Sequence, residues 1–280
     1  MTLAKIKARQ ILQELNIDTP ELLRNLKEIC CERGVFVRSA PLKSAEARLT
    51  VAGQRGIITV DANAAYEARQ RFSIAHELGH FELHRNRQSL LSCDQHAVNR
   101  WSYSQKEEAD LETEANEFAS ELLLPESFLL PEIRRIRPSI AFLERLAIRF
   151  QTSLFATTRR FIELTEEACA AVFFRNFSVL YSWKSDPLAK QPYRIEGKIS
   201  PHSYAYDACQ GKELPDHFSP VEASSWFKAP GRLAEEPLLE ESRYFPSLNL
   251  GMALIWVQAT HLMKPEKKFP YQESIARAWL

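Results

Sequence analysis

Apolar residues recur at helical spacing over the first third of the chain and in short strand-like runs near its end. Leu3, Ile6, Ile11 and Leu12 fall roughly on one side of a helix over residues 2–15. Leu22, Leu23, Leu26 and Ile29 predict a second helix from about 20 to 32, with Asp18 or Thr19 able to cap it and Gly34 to stop it. Runs at 35–37, 49–51 and 57–60 read as strands of a small antiparallel sheet, with Gly53 and Gly56 bracketing the turn between the last two. A helix carrying His76 follows. Residues 85–106 are polar and irregular, a long loop of a length that is uncommon unless functional or disordered. Leu111, Ala115, Phe118, Ala119 and Leu122 form the stripe of a helix from about 107 to 124, which Pro125 ends. Two further helices, 139–150 and 154–164, are separated by Gln151-Thr152-Ser153, with Ser153 as a cap for the second; this is helix–turn–helix spacing. Beyond about residue 166 the signal turns to strands: a hairpin of 170–174 and 179–183 around Asn176, then 193–195, 225–227 and 252–256, with prolines marking the loops between them.

At 280 residues the chain exceeds one average domain, and 45% apolar residues suffice for a sizeable core. Lys+Arg and Asp+Glu both number 36, so no global field favours nucleic acid or a membrane, and binding to either needs a local patch. No apolar run approaches the ~18 residues of a membrane span. The five cysteines form no CxxC pair, and the first residues lack a signal-peptide core, which together read as a reduced cytoplasmic setting with cysteines used for packing.

The chemistry concentrates in Arg71-Phe-Ser-Ile-Ala-His76-Glu77-Leu-Gly-His80. In a helix, residues four apart share a face, so His76 and His80 point the same way, one turn apart, as two imidazole ligands of one metal must. Glu77 lies beside them and can reach a metal-bound water. Two imidazoles, an acidic third ligand, an open position and a carboxylate base make the donor set of a zinc hydrolase. The plainer reading is a helix with two surface histidines. Against it stand the apolar neighbours Phe72, Ile74, Ala75 and Leu78, and Gly79, whose cost of about 1 kcal/mol inside a helix makes sense if another backbone packs there.

The third ligand is sought on the helix from 107. Glu112 and Glu114 flank its stripe, and amphipathicity does not separate them. Glu112 lies on the side of the small residues Ala115 and Ala119, where a second helix can approach; Asn116, one turn later, is placed to hydrogen-bond a ligand. Both points favour Glu112, against a reading of both acids as solvated.

Residues 131–165 hold seven arginines, Arg134, Arg135, Arg137, Arg145, Arg149, Arg159 and Arg160, against Glu132, Glu144 and Glu163. Such a patch can contact DNA phosphates, although a packed helical pair with paired or solvated arginines explains it as well.

The block Arg71 to His80 with His84, followed by Glu112-Thr-Glu114-Ala-Asn116-Glu-Phe118-Ala119-Ser-Glu-Leu-Leu-Leu-Pro125, resembles the ImmA/IrrE family of zinc metallopeptidases, over about residues 1–165. The resemblance implies an α+β chain. It would comprise a zincin-like peptidase domain of helices and a small sheet at 1–130, a helix–turn–helix-like segment at 131–165, and a mixed α/β C-terminal domain at 166–280 that is sensor-like in some relatives. It implies Zn2+ held by His76, His80 and Glu112, Glu77 as the base, and a transcriptional repressor as protein substrate. His84 continues the ridge of the other two histidines, but one helix cannot wrap three successive turns around a tetrahedral ion, so it reads as supporting or structural. His96, Arg100 and Tyr103 of the long loop are oxyanion candidates, and the strand at 57–60 is a partner for an extended substrate. The rival is a regulator that keeps the metal site but binds a repressor or DNA without cutting.

Overall fold

The computed structural model describes residues 1–43, 45–63, 66–86, 105–134 (side chains from 109), 136–228 and 237–258. The expected long loop, with His96, Arg100 and Tyr103, lies largely outside the described residues.

Helix α1 (Leu3–Glu14) is capped by the Thr2 hydroxyl and buries Ala4, Ala8, Ile11 and Leu12. The second expected helix is broken: Leu22–Asn25 is a 3-10 turn, and α2 is Leu26–Glu32. The break has a partner. The Arg71 guanidinium, 7% exposed, donates to the carbonyls of Leu23 and Arg24. Gly34, at φ +77°, turns the chain out of α2.

Strands β1 (Val35–Ala40), β2 (Ala47–Ala52) and β3 (Arg55–Asp61) form a sheet in the order β1-β3-β2. The β2–β3 hairpin is antiparallel as expected, but β1 lies parallel to β3 on its other side. The strand with the most continuous buried run, Ile58 to Val60, takes the centre, where both neighbours shield it. The free edges are therefore β1 and β2. The strand at 57–60 is β3, paired on both sides, and cannot add a substrate strand.

Helix α3 (Glu67–His84) packs on β2 and β3 of this sheet, and α4 (Gln105–Leu123) packs on α3 and α1. A Cβ added at Gly79 would lie 3.0 Å from the Phe118 ring, so glycine is what lets the two helices close. Helix α5 (Glu126–Ile133), which the pattern did not announce, follows Pro125. Helices α6 (Ile140–Phe150) and α7 (Leu154–Leu164) are capped by Ser139 and Ser153.

The expected hairpin is β4 (Cys169–Arg175) and β5 (Ser178–Lys184), turning through Asn176 and Phe177, both at positive φ. Then come α8 (Asp186–Ala189), β6 (Arg194–Ile195), α9 (Tyr204–Cys209), β7 (Ser219–Glu222), β8 (Phe227–Lys228), β9 (Pro237–Phe245) and β10 (Leu250–Trp256). Of the strand expected at 225–227 only Phe227 lies in a strand, β8, after a 3-10 turn at Ala223–Ser225. β4, β5, β7, β9 and β10 make one antiparallel sheet, β5-β4-β10-β9-β7. Strand β4 is buried on both faces: Cys169, Ala171 and Phe173 join the core shared with α1 to α7, while Ala170, Val172 and Phe174 join a second core with α8 and α9. The chain is thus α+β.

Part of the arginine-rich segment is used internally. Arg160 is fully buried, paired with Glu121 and bonded to the Leu124 carbonyl. Arg149 pairs with Glu132 and Glu21, and the guanidinium groups of Arg145 and Arg137 lie over Phe142 and Trp256. Helix α7 packs on α5, α6, β4 and β5 and buries Thr157, Thr158, Arg160, Phe161 and Ile162, which leaves little of its surface to face a groove. The DNA reading of this segment therefore lacks structural support.

Candidate metal centre

The centre forms where α3 passes between α4 and β2. His76 and His80 stand one turn apart on α3, and their Nε2 atoms are 3.0 Å from each other. From α4, the two Glu112 oxygens reach the same point: Oε2 lies 3.2 Å from His76 Nε2, and Oε1 lies 3.2 Å from His80 Nε2. These three residues are the group of metal-ligating type among the described residues, their ligand atoms all within 4.8 Å. A tetrahedral ion with bonds of about 2.0–2.1 Å separates its ligand atoms by about 3.3 Å, so the observed spacing fits one face of a zinc tetrahedron. The donor chemistry, two imidazole nitrogens and a carboxylate, also fits.

The sequence pattern favours Glu112 over Glu114 as the third ligand. The structure gives them different neighbours: Glu112 faces the two histidines, whereas Glu114 Oε2 lies 2.9 Å from His84 Nε2. Asn116 meets His76, its Oδ1 3.1 Å from Nδ1, so the ring's proton belongs on Nδ1 and the lone pair on Nε2. His84, 1% exposed, places its Nδ1 3.0 Å from His80 Nδ1.

Glu77 is 5% exposed. The backbone amide of Leu49 on β2 donates to its carboxylate, while Oε2 is buried with no hydrogen-bond partner among the described residues. A buried carboxylate oxygen left without a donor costs stability, and such groups call for a bound species or a catalytic use. Burial pushes the Glu77 carboxyl above its ordinary range, with Glu112 adding to the shift and the two histidines opposing it. Glu112 is held far below the ordinary range by hydrogen bonds from His76 and His80. For His76 burial acts downward, but the hydrogen bond and charge of Glu112, with the charge of Glu77, raise it overall.

The β2 edge borders the centre. Glu46 bonds through its carbonyl to Asp61, so by strand alternation Ala47, Leu49 and Val51 turn their backbone groups away from β3. Leu49 spends its outward N–H on Glu77. The run at 49–51 announced this strand but not its place at the edge beside Glu77, because nothing in 47–52 separates an edge from a centre.

Residues 30–161 match the Peptidase_M78 family, described as the IrrE N-terminal-like domain. No curated protein matches the chain. Among solved structures, a Mycobacterium tuberculosis transcriptional regulator is similar at a TM-score of 0.56 and 14% identity, over 99% of this chain and 94% of that one. At that identity the likeness shows a shared fold.

Proposed function

We propose, from the premise that the chain belongs to the ImmA/IrrE family of peptidases through its IrrE N-terminal-like domain, that it is a zinc-dependent endopeptidase cleaving a regulatory protein such as a transcriptional repressor. The reading is carried by one observation: two imidazole nitrogens and a carboxylate converge within 3.0–3.2 Å beside a buried carboxylate with an unspent oxygen.

In this reading His76, His80 and Glu112 hold zinc. When bound, the ion supplies Lewis acidity, polarising a carbonyl and lowering the pKa of water to about 7. Glu77 is the base: the Leu49 amide fixes one end of its carboxylate, and the orphaned Oε2 accepts the proton of the attacking water. Its raised proton affinity suits it to return that proton to the leaving amine. Asn116 holds His76 in the tautomer that presents Nε2. An extended substrate pairs with the free edge of β2, where Ala47 and Val51 offer outward backbone groups on either side of Leu49. Residues 1–130 carry this chemistry, 131–165 form the helical connection, and 166–280 are a C-terminal domain, its described residues built on a five-stranded sheet, that we assign to sensing a ligand or partner.

The test is metal analysis of the purified protein, followed by incubation with repressors encoded beside it, with and without chelator. Fragments that vanish on chelation and in Glu77→Gln support the reading. A stable stoichiometric complex without fragments would replace it with a binding role, for which the regulator named among the similar structures is a precedent of fold.

A further inference from the structure

Two groups, the buried His84 and the half-buried Glu114, line up behind His80 on the side away from the candidate ion. His80 Nδ1 lies 3.0 Å from His84 Nδ1, and His84 Nε2 lies 2.9 Å from Glu114 Oε2. His84 is 1% exposed, so solvent does not compete for its ring. Glu114 comes from α4 and His84 from α3, so the chain of contacts crosses the helix pair.

Proton positions follow from the acceptor at its end. An ionised carboxylate only accepts, so His84 must carry a proton on Nε2. A neutral His84 then has a lone pair on Nδ1. At 3.0 Å from that lone pair, His80 Nδ1 must donate, because two facing lone pairs would repel. A neutral His80 protonated on Nδ1 presents its lone pair at Nε2, the atom that faces Glu112 and His76. The reverse assignment places an acceptor against the Glu114 carboxylate and a proton on the nitrogen that faces the ion.

We propose that Glu114 and His84 are positioning residues for the metal centre: acting through two successive hydrogen bonds, they fix the tautomer and ring orientation of His80 and raise its strength as a ligand. The proposal rests on the metal reading above. It assigns Glu114 a role distinct from that of Glu112, and it gives His84 a task other than ligation.

The test measures Zn2+ affinity by competition with a chromophoric chelator, for the full-length protein and its variants, alongside 15N histidine NMR of the zinc-loaded wild type. Glu114→Gln and His84→Phe should bind Zn2+ roughly ten- to a hundredfold more weakly, the usual cost of losing a group behind a ligand. Glu117→Gln, an acid on the same helix, should bind as wild type. NMR should show His80 protonated on Nδ1 and His84 on Nε2, a readout that a merely structural role would not fix and that does not depend on the variants folding. Wild-type affinity in both variants, with His80→Ala losing the ion, would overturn the relay and leave the metal reading standing. Opposite tautomers in NMR would do the same. A wild-type protein that takes up no zinc would overturn both.

Discussion

Two buried carboxylates, Glu77 in the candidate metal centre and Glu240 in the C-terminal sheet, have nearly the same exposure and opposite surroundings. Glu240, 1% exposed, spends every acceptor: Oε1 takes the Ala205 amide at the start of α9 and the Ser242 hydroxyl, both at 2.7 Å, and Oε2 takes the Trp226 indole N–H at 2.7 Å. Its neighbour Glu241 points to the other face of the sheet and caps α6 through the Ile140 amide. Glu77 keeps one oxygen with no partner among the described residues and has three ligand-type groups beside it. A satisfied buried acid locks elements together; an unsatisfied one, held in place by a strand, is poised to act. Burial raises the proton affinity of both, so that property alone would not tell them apart.

The contrast can be broken most directly at Glu77. Glu77→Gln should cut cleavage of a genuine target by about 10²–10⁴-fold, the usual share of a general base, with zinc content unchanged. Undiminished cleavage, followed by mass spectrometry of the fragments, would remove the base assignment. The mirror change is Glu240→Ala. It strands the Trp226 indole and the Ala205 amide, and should cost about 3 kcal/mol of stability by denaturant titration, while zinc affinity stays as in wild type. A lost ion with intact stability would invert the comparison.

Zinc itself separates the two regions next. At free ion a hundredfold above its Kd, binding should stabilise the protein by about 2.7 kcal/mol. Scanning calorimetry should show that increment in Glu240→Ala too, and should lose it in His76→Ala.

The smallest effect is in pH. Glu82, buried beside α1 and α2, is driven up by burial, but the hydrogen bonds and charges of Arg33 and Lys7 win and lower it overall. A depressed folded value means that its stabilisation is present above the ordinary glutamate range near 4 and is lost as pH falls through the folded value. Glu240 has the opposite sign: with its folded value raised, its contribution is full below the ordinary range and declines as pH climbs toward the folded value. Denaturation midpoints between pH 3.5 and 7 should therefore show Glu82→Gln converging with wild type on acidification. Parallel curves would show that Arg33 and Lys7 do not set the Glu82 charge.

Most of the candidate metal centre was legible because it sits on helices. Four-residue spacing fixes a shared face without tertiary information, so the placement of His76 and His80 followed from one stretch. Gly79 announced the close approach that Phe118 makes. The C-terminal sheet was less legible. β9 reads Pro237-Leu-Leu-Glu-Glu-Ser-Arg-Tyr-Phe245, and its acids hide a central strand because each is satisfied by a helix N-terminus brought from elsewhere. The arginines of 131–165 suggested a basic face, but Arg149 and Arg160 pair with Glu21 and Glu121 from earlier in the chain and with Glu132 of the segment itself.

By itself, then, the sequence determined what is local: helices α1, α3, α4, α6 and α7, the Ser153 cap, the two histidines on one face and the acid beside them, since φ/ψ preference and a 3.6-residue period act over a few residues. Only the tertiary structure decided which strand lies at the sheet edge, which glutamate faces the histidines and which faces His84. Those outcomes depend on distant segments sharing one core, where the donor that satisfies a buried acid comes from any point along the chain.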